Sequence, residues 1–438
     1  MKKKRYFNIS MRWPWIIPVV LALGIRLIAL NQSFWLDEAI SANVVKNLSF
    51  GDIVLKFGPT DFHPPLFYWM LKLWSQIWGS GEVTMRLMSV LAGVVTVWTV
   101  YKIGEDQKKP HLGWWAAMLL AANPLLVYYS QENRMYAMVT MFLIIGWRYW
   151  LKNNVIKSVF FLVLAWWTFY GAIFFIAGLG IISLVKKQYR QAAVLSIGTG
   201  IGVAATLPLL LLQLNNSAQQ VRIISSWGQI LGKADLKNLL LVPIKFTIGR
   251  ISFYPKWAYW LVATGAVGMT ALAAIPGSIK RKEWLWLLIL PIILGWMVSW
   301  RVPLLSYFRF LYVLPIYCLL IARSKLKRLV LAIFLICSLV YLFNPKYHRE
   351  NWRGLASELD DRVYMIKSFS DPIKYYDPEI QVADFEQIDG QEKMIKVVPY
   401  GVEIFGNNYR VNLTQLGYSQ VTDKRFGELV LEGWEKVN

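Results

Sequence analysis

The chain of 438 residues is 56% hydrophobic and holds 22 tryptophans. With a mean hydropathy of +0.41, it cannot be an ordinary soluble globular protein, which would need more polar surface. The formal net charge of +21 suggests nucleic-acid binding at first sight, but the distribution of charge argues against it. Up to residue 345 there are 35 basic and 10 acidic residues, and from Lys346 onward 12 basic and 16 acidic. The excess bases sit in short breaks between apolar runs, the pattern of loops retained on the cytoplasmic side of a membrane.

The apolar runs are continuous rather than alternating, so helices rather than a closed barrel are expected to span the bilayer. The start, MKKKRYFNIS, is basic, and the run that follows leads into FWLDEAISA without a small-x-small cleavage site. It reads as an uncleaved first span with a cytoplasmic N-terminus. The expected spans are 13–31, 83–103, 111–129, 135–151, 156–170, 172–185, 191–213, 256–275, 284–300, 309–322 and 327–343. The stretch 156–185 is either two short spans or one kinked hairpin about Tyr170-Gly171. Every break that this topology puts inside carries two or more bases, for example KKQYR at 186–190 and RSKLKR at 323–328.

Three regions are then outside: 32–82, 214–255 and the tail from 344. The first holds FHPPLFYWMLKLWSQIW, an aromatic amphipathic stretch suited to the membrane interface. The tail reads as a small soluble α/β or α+β domain. It would have helices near 352–359 and 371–376, a strand at RVYMIK, and strands near QVADF and KVVPYGVEIF. The fold class is thus an all-α polytopic membrane protein of about 11 transmembrane helices (1–343) with an extracytoplasmic module (344–438). The two cysteines, Cys318 and Cys337, lie in apolar runs and are too few for a disulfide framework.

Seven of the ten acids before Lys346 fall on the outer side: Asp37, Glu38, Asp52, Asp61, Glu82, Glu132 and Asp235. Acids do not set orientation, so this asymmetry points to an outward site. Asp37 and Glu38 follow the first span directly. On a helix they point about 100° apart, so two roles are expected: Asp37 accepting a proton, Glu38 orienting a neighbour or starting the helix. Asp61 and His63 sit in DFHPPLFYW, where the Pro-Pro pair fixes an extended backbone and holds His63 in a defined position. Glu132 and Arg134, in YYSQENRMYAM, are spaced i, i+2 and so would serve a metal or acceptor and an anion separately. Arg26 and Arg86 lie in or at the edge of apolar spans, either as functional charges or as snorkelling ones. Arg309, Arg301, Arg250 and Lys245 lie on the same outer side. One carboxylate base, several arginines and an amphipathic wall would suffice for departure of a phosphate ester.

At these residues the sequence resembles the glycosyltransferase C superfamily, and within it the prokaryotic protein O-mannosyltransferases and aminoarabinose transferases. The resemblance rests on RLIALNQSFWLDEAISA, HPPLFYWML, TMRLMSVLAG, YYSQENRMYAM, YFRFLYVLPIYCLLIA and HRENWRGLA, in that order. It implies an outer-face enzyme that takes a sugar from a polyprenyl-phosphate donor, among membrane lipids and without nucleic acid. It implies Asp37 and Glu38 as catalytic, with His63, Arg86, Glu132, Arg134, Tyr136, Tyr307 and Arg309 at the substrate and its phosphate. Some members place a divalent cation near the acidic cluster, which would nominate Asp37, Glu132 and His63 as ligands. The tail matches no acceptor-recognition domain, so the acceptor stays open. A lipid-saccharide transporter is the alternative. It would place charges at mid-membrane on broken helices in two related halves, and no such halves are evident.

Overall fold

The computed structural model describes residues 14–223 and 232–437. The basic N-terminal stretch, the first residue of the first expected span and residues 224–231 of the second outer region lie outside the described residues. The longer helices are α1 (Ile16–Leu27), α2 (Leu36–Asn47), α3 (Leu66–Trp78), α4 (Glu82–Asp106), α5 (Pro110–Ala122), α6 (Pro124–Ser130), α7 (Tyr136–Leu151) and α8 (Val155–Thr168). They continue with α9 (Ala172–Val185), α10 (Tyr189–Ile223), α11 (Leu236–Ile248), α12 (Lys256–Lys280), α13 (Lys282–Val298), α14 (Leu314–Ile321) and α15 (Lys327–Phe343).

Each expected span falls on a helix or a helix pair, and 156–185 resolves into two helices. Three helices, Glu82–Asp106, Tyr189–Gln219 and Lys256–Lys280, are long and apolar enough to cross a membrane alone. A fourth candidate is the pair α5 and α6, bent by 64°. The bend has a local cause. Pro124 has no N–H to continue the α5 ladder, and Asn123 Oδ1 instead caps α6 by accepting from the N–H groups of Leu125 (3.0 Å) and Leu126 (3.1 Å). The helix α11 lies inside the second outer region, where no element was expected.

Small residues let the helices approach closely. A Cβ on Gly113 would collide with the Tyr101 carbonyl, and one on Gly277 with the Leu320 carbonyl. The bundle has one large apolar core, with a small separate cluster of Ile244, Ile248, Tyr259 and Ala263 between α11 and α12.

The C-terminal residues have a separate core around Trp352, Tyr364, Phe369 and Trp434. Its sheet comprises β1 (Arg362–Tyr364), β2 (Gln381–Ala383), β3 (Met394–Val397), β4 (Tyr418–Phe426) and β5 (Leu429–Lys436), in the order β2-β1-β3-β5-β4. β1 runs parallel to β2 and β3, and β5 is antiparallel to β3 and β4. The sequence reading missed the β4–β5 hairpin, and it placed strand where Val402–Phe405 forms a helical turn. β4 is mostly exposed, so it lacks the alternation that reveals a half-buried strand.

This module is stitched to the first outer loop. The Phe34 N–H donates to Tyr376 Oη (2.8 Å), the Arg353 N–H to Ser33 Oγ (3.0 Å), and Asn43 Nδ2 to Asp371 Oδ1 (2.9 Å). Tyr376 also donates to Glu82, which pairs with Arg353 as well.

Candidate active site

The first turn of α2 divides its two acids between interior and cavity. Glu38 is fully buried. Arg86 donates to it twice, from Nε to Oε1 (2.8 Å) and from Nη2 to Oε2 (2.5 Å), and the Asn133 N–H donates to Oε1 (2.7 Å). Arg349 Nε stands 3.2 Å from Oε2. Burial works against the charged form here, but Arg86 and Arg349 outweigh it, so the carboxyl titrates below its ordinary value. Glu38 is an ionised pin joining the first loop, α4, the turn before α7 and the start of the module.

Arg86 is the other half of that pin. Its remaining donors reach the carbonyls of Leu30 (2.9 Å), Gln32 and Ser33 (3.0 Å), and its guanidinium covers the Phe34 ring at 4.9 Å. Arg86 is therefore neither a lipid-snorkelling charge nor open to a phosphate, because its donors are spent inside the protein. Arg26 is likewise buried in the bundle, with Nη1 donating to the carbonyls of Ala22 (3.0 Å) and Ala121 (3.1 Å).

Asp37 points the other way. Its side chain is 37% exposed, and Arg134 Nη2 lies 3.6 Å from Oδ2. Arg134 Nη1 donates to the Asp37 carbonyl (3.3 Å) and to Ser41 Oγ (3.2 Å), which fixes the turn carrying the carboxylate. Asp61, His63 and Tyr68 form a neighbouring group. His63 Nδ1 is 3.1 Å from Asp61 Oδ1, and Tyr68 Oη donates to Asp61 Oδ2 (2.7 Å). Burial raises the Asp61 carboxyl, but His63, Arg134 and Tyr68 together hold it below the usual range. Gln213 Nε2 ties this loop to α10 through the carbonyls of Gly58 (2.8 Å) and His63 (3.0 Å).

Glu132 sits in the turn between α6 and α7. Trp35 Nε1 donates to its Oε1 (3.0 Å), whereas its buried Oε2 has no hydrogen-bond partner in the protein. Burial pushes this carboxyl up to about 7, with Glu38 adding to the rise and Arg349, Arg250 and Arg134 opposing it.

These elements enclose a cavity of about 480 Å3 between the bundle and the C-terminal module. Trp35, Asp37, Tyr128, Tyr129, Glu132 and Tyr136 form one side. Arg250, Ser252, Tyr254, Lys256, Tyr307 and Phe308 form another, and Lys346–Glu350 with Tyr400 and Glu428 close it. Arg250 Nη1 donates to Tyr128 Oη (2.5 Å), and Arg250 and Arg349 both stack on the Tyr128 ring, at 4.7 and 4.5 Å.

Of the residues nominated from sequence, Asp37, Glu132, Tyr136 and Tyr307 line this cavity. Glu38, His63, Arg86, Arg134 and Arg309 are outside its lining. Arg309 stacks on Phe308 (5.7 Å) and donates to the Pro303 carbonyl (3.2 Å). Asp37, Glu132 and His63 do not form one ligand set. Among the described residues no group of three His, Cys, Asp or Glu side chains could hold a metal ion. His63 is directed at Asp61, and Asp37 is paired with Arg134.

The sequence reading counted Arg250 only among the outward arginines and gave no role to Lys346, Arg349, Tyr400 or Glu428. The one local signal was the basic run Lys346–Arg349 directly after the last apolar stretch, within the motif region already singled out.

Residues 62–208 match the family model described as dolichyl-phosphate-mannose-protein mannosyltransferase. The fold is similar to the crystal structure of ArnT from Cupriavidus metallidurans. In the apo state the TM-score is 0.50 at 12% identity, covering 95% of this chain and 97% of that one. In the form bound to undecaprenyl phosphate it is 0.50 at 13% identity, covering 97% and 98%. The Archaeoglobus fulgidus oligosaccharyltransferase tethered to an acceptor peptide aligns at a TM-score of 0.46 and 11% identity, over 86% of this chain and 64% of that one. No curated protein sequence matches the chain.

Proposed function

We propose that this chain is a membrane glycosyltransferase of the C superfamily, a reading its family-model match and its fold support, and that it moves a sugar from a polyprenyl-phosphate-linked donor to a hydroxyl-bearing acceptor. The acceptor is a lipid, glycan or protein at the outer face of the cytoplasmic membrane. The observation that carries this reading is a cavity that the Asp37 carboxylate shares with two guanidinium groups, the buried one of Arg349 and that of Arg250. The related fold that binds undecaprenyl phosphate supports a donor of that chemical class.

The chemistry follows from the parts. The acceptor hydroxyl gives its proton to Asp37 as its oxygen bonds to the anomeric carbon, and the bond from that carbon to the phosphate oxygen breaks. A phosphate is already a weak base, so its departure needs positive charge rather than a general acid. Arg250, Arg349 and Lys346 supply that charge, and Arg134 keeps Asp37 aimed. Among the described residues no three His, Cys, Asp or Glu side chains come together as a metal ligand set. With the eleven helical segments read as crossings, residues 1–343 form the membrane part with a cytoplasmic N-terminus. Residues 344–438 then form the outer module.

The test is sugar transfer by purified protein from labelled polyprenyl-phosphate sugars to envelope extracts. Asp37→Asn should lower turnover by about 10²–10⁴-fold, the usual worth of a general base. It should leave affinity for polyprenyl phosphate unchanged. Wild-type turnover in that variant would end the assignment of Asp37.

A further inference from the structure

We infer that Arg349, carried by the strap between the last bundle helix and the C-terminal module, is a contact for the phosphate of a lipid-linked sugar donor. The donor site is then incomplete without that strap. This rests on the donor class proposed above.

Arg349 is 2% exposed and lines the cavity. None of its three guanidinium nitrogens finds a hydrogen-bond acceptor in the protein. Buried donors without acceptors are rare, because each forfeits its hydration for nothing in return. Its nearest anion is Glu38 Oε2, 3.2 Å from Nε, and that carboxylate already accepts from Arg86 and from the Asn133 N–H. The residue cannot readily turn elsewhere. Its N–H donates to Gln32 Oε1 (2.9 Å), and its guanidinium plane lies over the Tyr128 ring.

The second unsatisfied group in the same cavity is Glu132 Oε2, buried and without a donor. The two demands are complementary. Arg349 needs anionic oxygens in a planar, bidentate arrangement, and Glu132 needs a hydroxyl. A glycosyl phosphate offers both within one headgroup. Arg250, over the same Tyr128 ring at 4.7 Å, adds a second guanidinium for the anion.

Binding of three probes to full-length protein in detergent separates the outcomes: undecaprenyl phosphate, undecaprenol and inorganic phosphate, read by quenching of tryptophan fluorescence. Wild type should prefer undecaprenyl phosphate to undecaprenol by at least about tenfold. Arg349→Gln should erase most of that preference while leaving undecaprenol binding unchanged. Arg349→Lys, which keeps a charge beside Glu38 but loses the planar fork, should unfold at the wild-type temperature and lose affinity severalfold. Inorganic phosphate should compete weakly, and less well still in both variants. If wild type discriminates and both variants discriminate equally, Arg349 is not the contact and the donor reading survives. If wild type itself fails to distinguish undecaprenyl phosphate from undecaprenol, both ideas fall.

Discussion

Replacing Glu132 by glutamine keeps an acceptor for Trp35 Nε1 and removes a charge that the fold is poorly built to hold. The carboxyl titrates at about 7 in the folded protein against an ordinary 4.5. Between those pH values the folded state binds more protons than the unfolded one, so stability falls as pH rises through that window and stays low above it. The displacement corresponds to about 3 kcal/mol on the charged form, an upper figure because a bound ligand would offset part of it. Glu132→Gln should therefore raise the unfolding temperature of the ligand-free protein by a few degrees at pH 8. At pH 5, where the wild-type carboxyl is already mostly protonated, it should change little. Thermal unfolding of both proteins in one detergent, at one scan rate and at both pH values, measures this. An equal effect at the two pH values, or a larger gain at pH 5, would refute the argument that burial dominates at this carboxyl.

Further outcomes are expected at four positions. Arg86→Ala should leave the buried Glu38 with Arg349 as its one remaining cation and cost about 3–5 kcal/mol, read as loss of folded protein on size-exclusion chromatography. Arg86→Lys should rescue little, since an ammonium cannot reach Glu38 and three carbonyls together. Gly113→Ala should destabilise by about 1–3 kcal/mol because its Cβ meets the Tyr101 carbonyl. Gly265→Ala, where nothing lies within 4 Å, should be neutral in the same thermal assay. Trp352→Ala should cost about 3–5 kcal/mol in the module's core, seen as selective proteolysis of the C-terminal residues.

The helices were legible because lipid forces long unbroken apolar runs, and the breaks between them carry bases. The divergence of Asp37 and Glu38 was legible too, since adjacent helical positions cannot face one way. Which of the pair faced inward was not, because that depends on Arg86, 48 residues away, and on Arg349. Arg86 itself was misjudged for the same reason. A charge in an apolar run looks identical whether it meets lipid, ligand or a distant carboxylate. His63 was expected at the substrate, yet its nearest titratable neighbour is Asp61, two residues away. Arg250 and Arg349 reach the cavity only because α11 and the C-terminal strap fold back over the α6–α7 turn, and no periodicity records that.

The stitching of residues 31–34 to residues 349–376 joins one of the earliest outer segments to be synthesised to one of the last. On the proposed topology the Asp37 loop is made and exported while its clamp is still unmade. A nascent chain bearing every helix of the bundle still lacks Lys346–Glu350, Tyr400 and Glu428, so the proposed site is closed only by the final hundred residues.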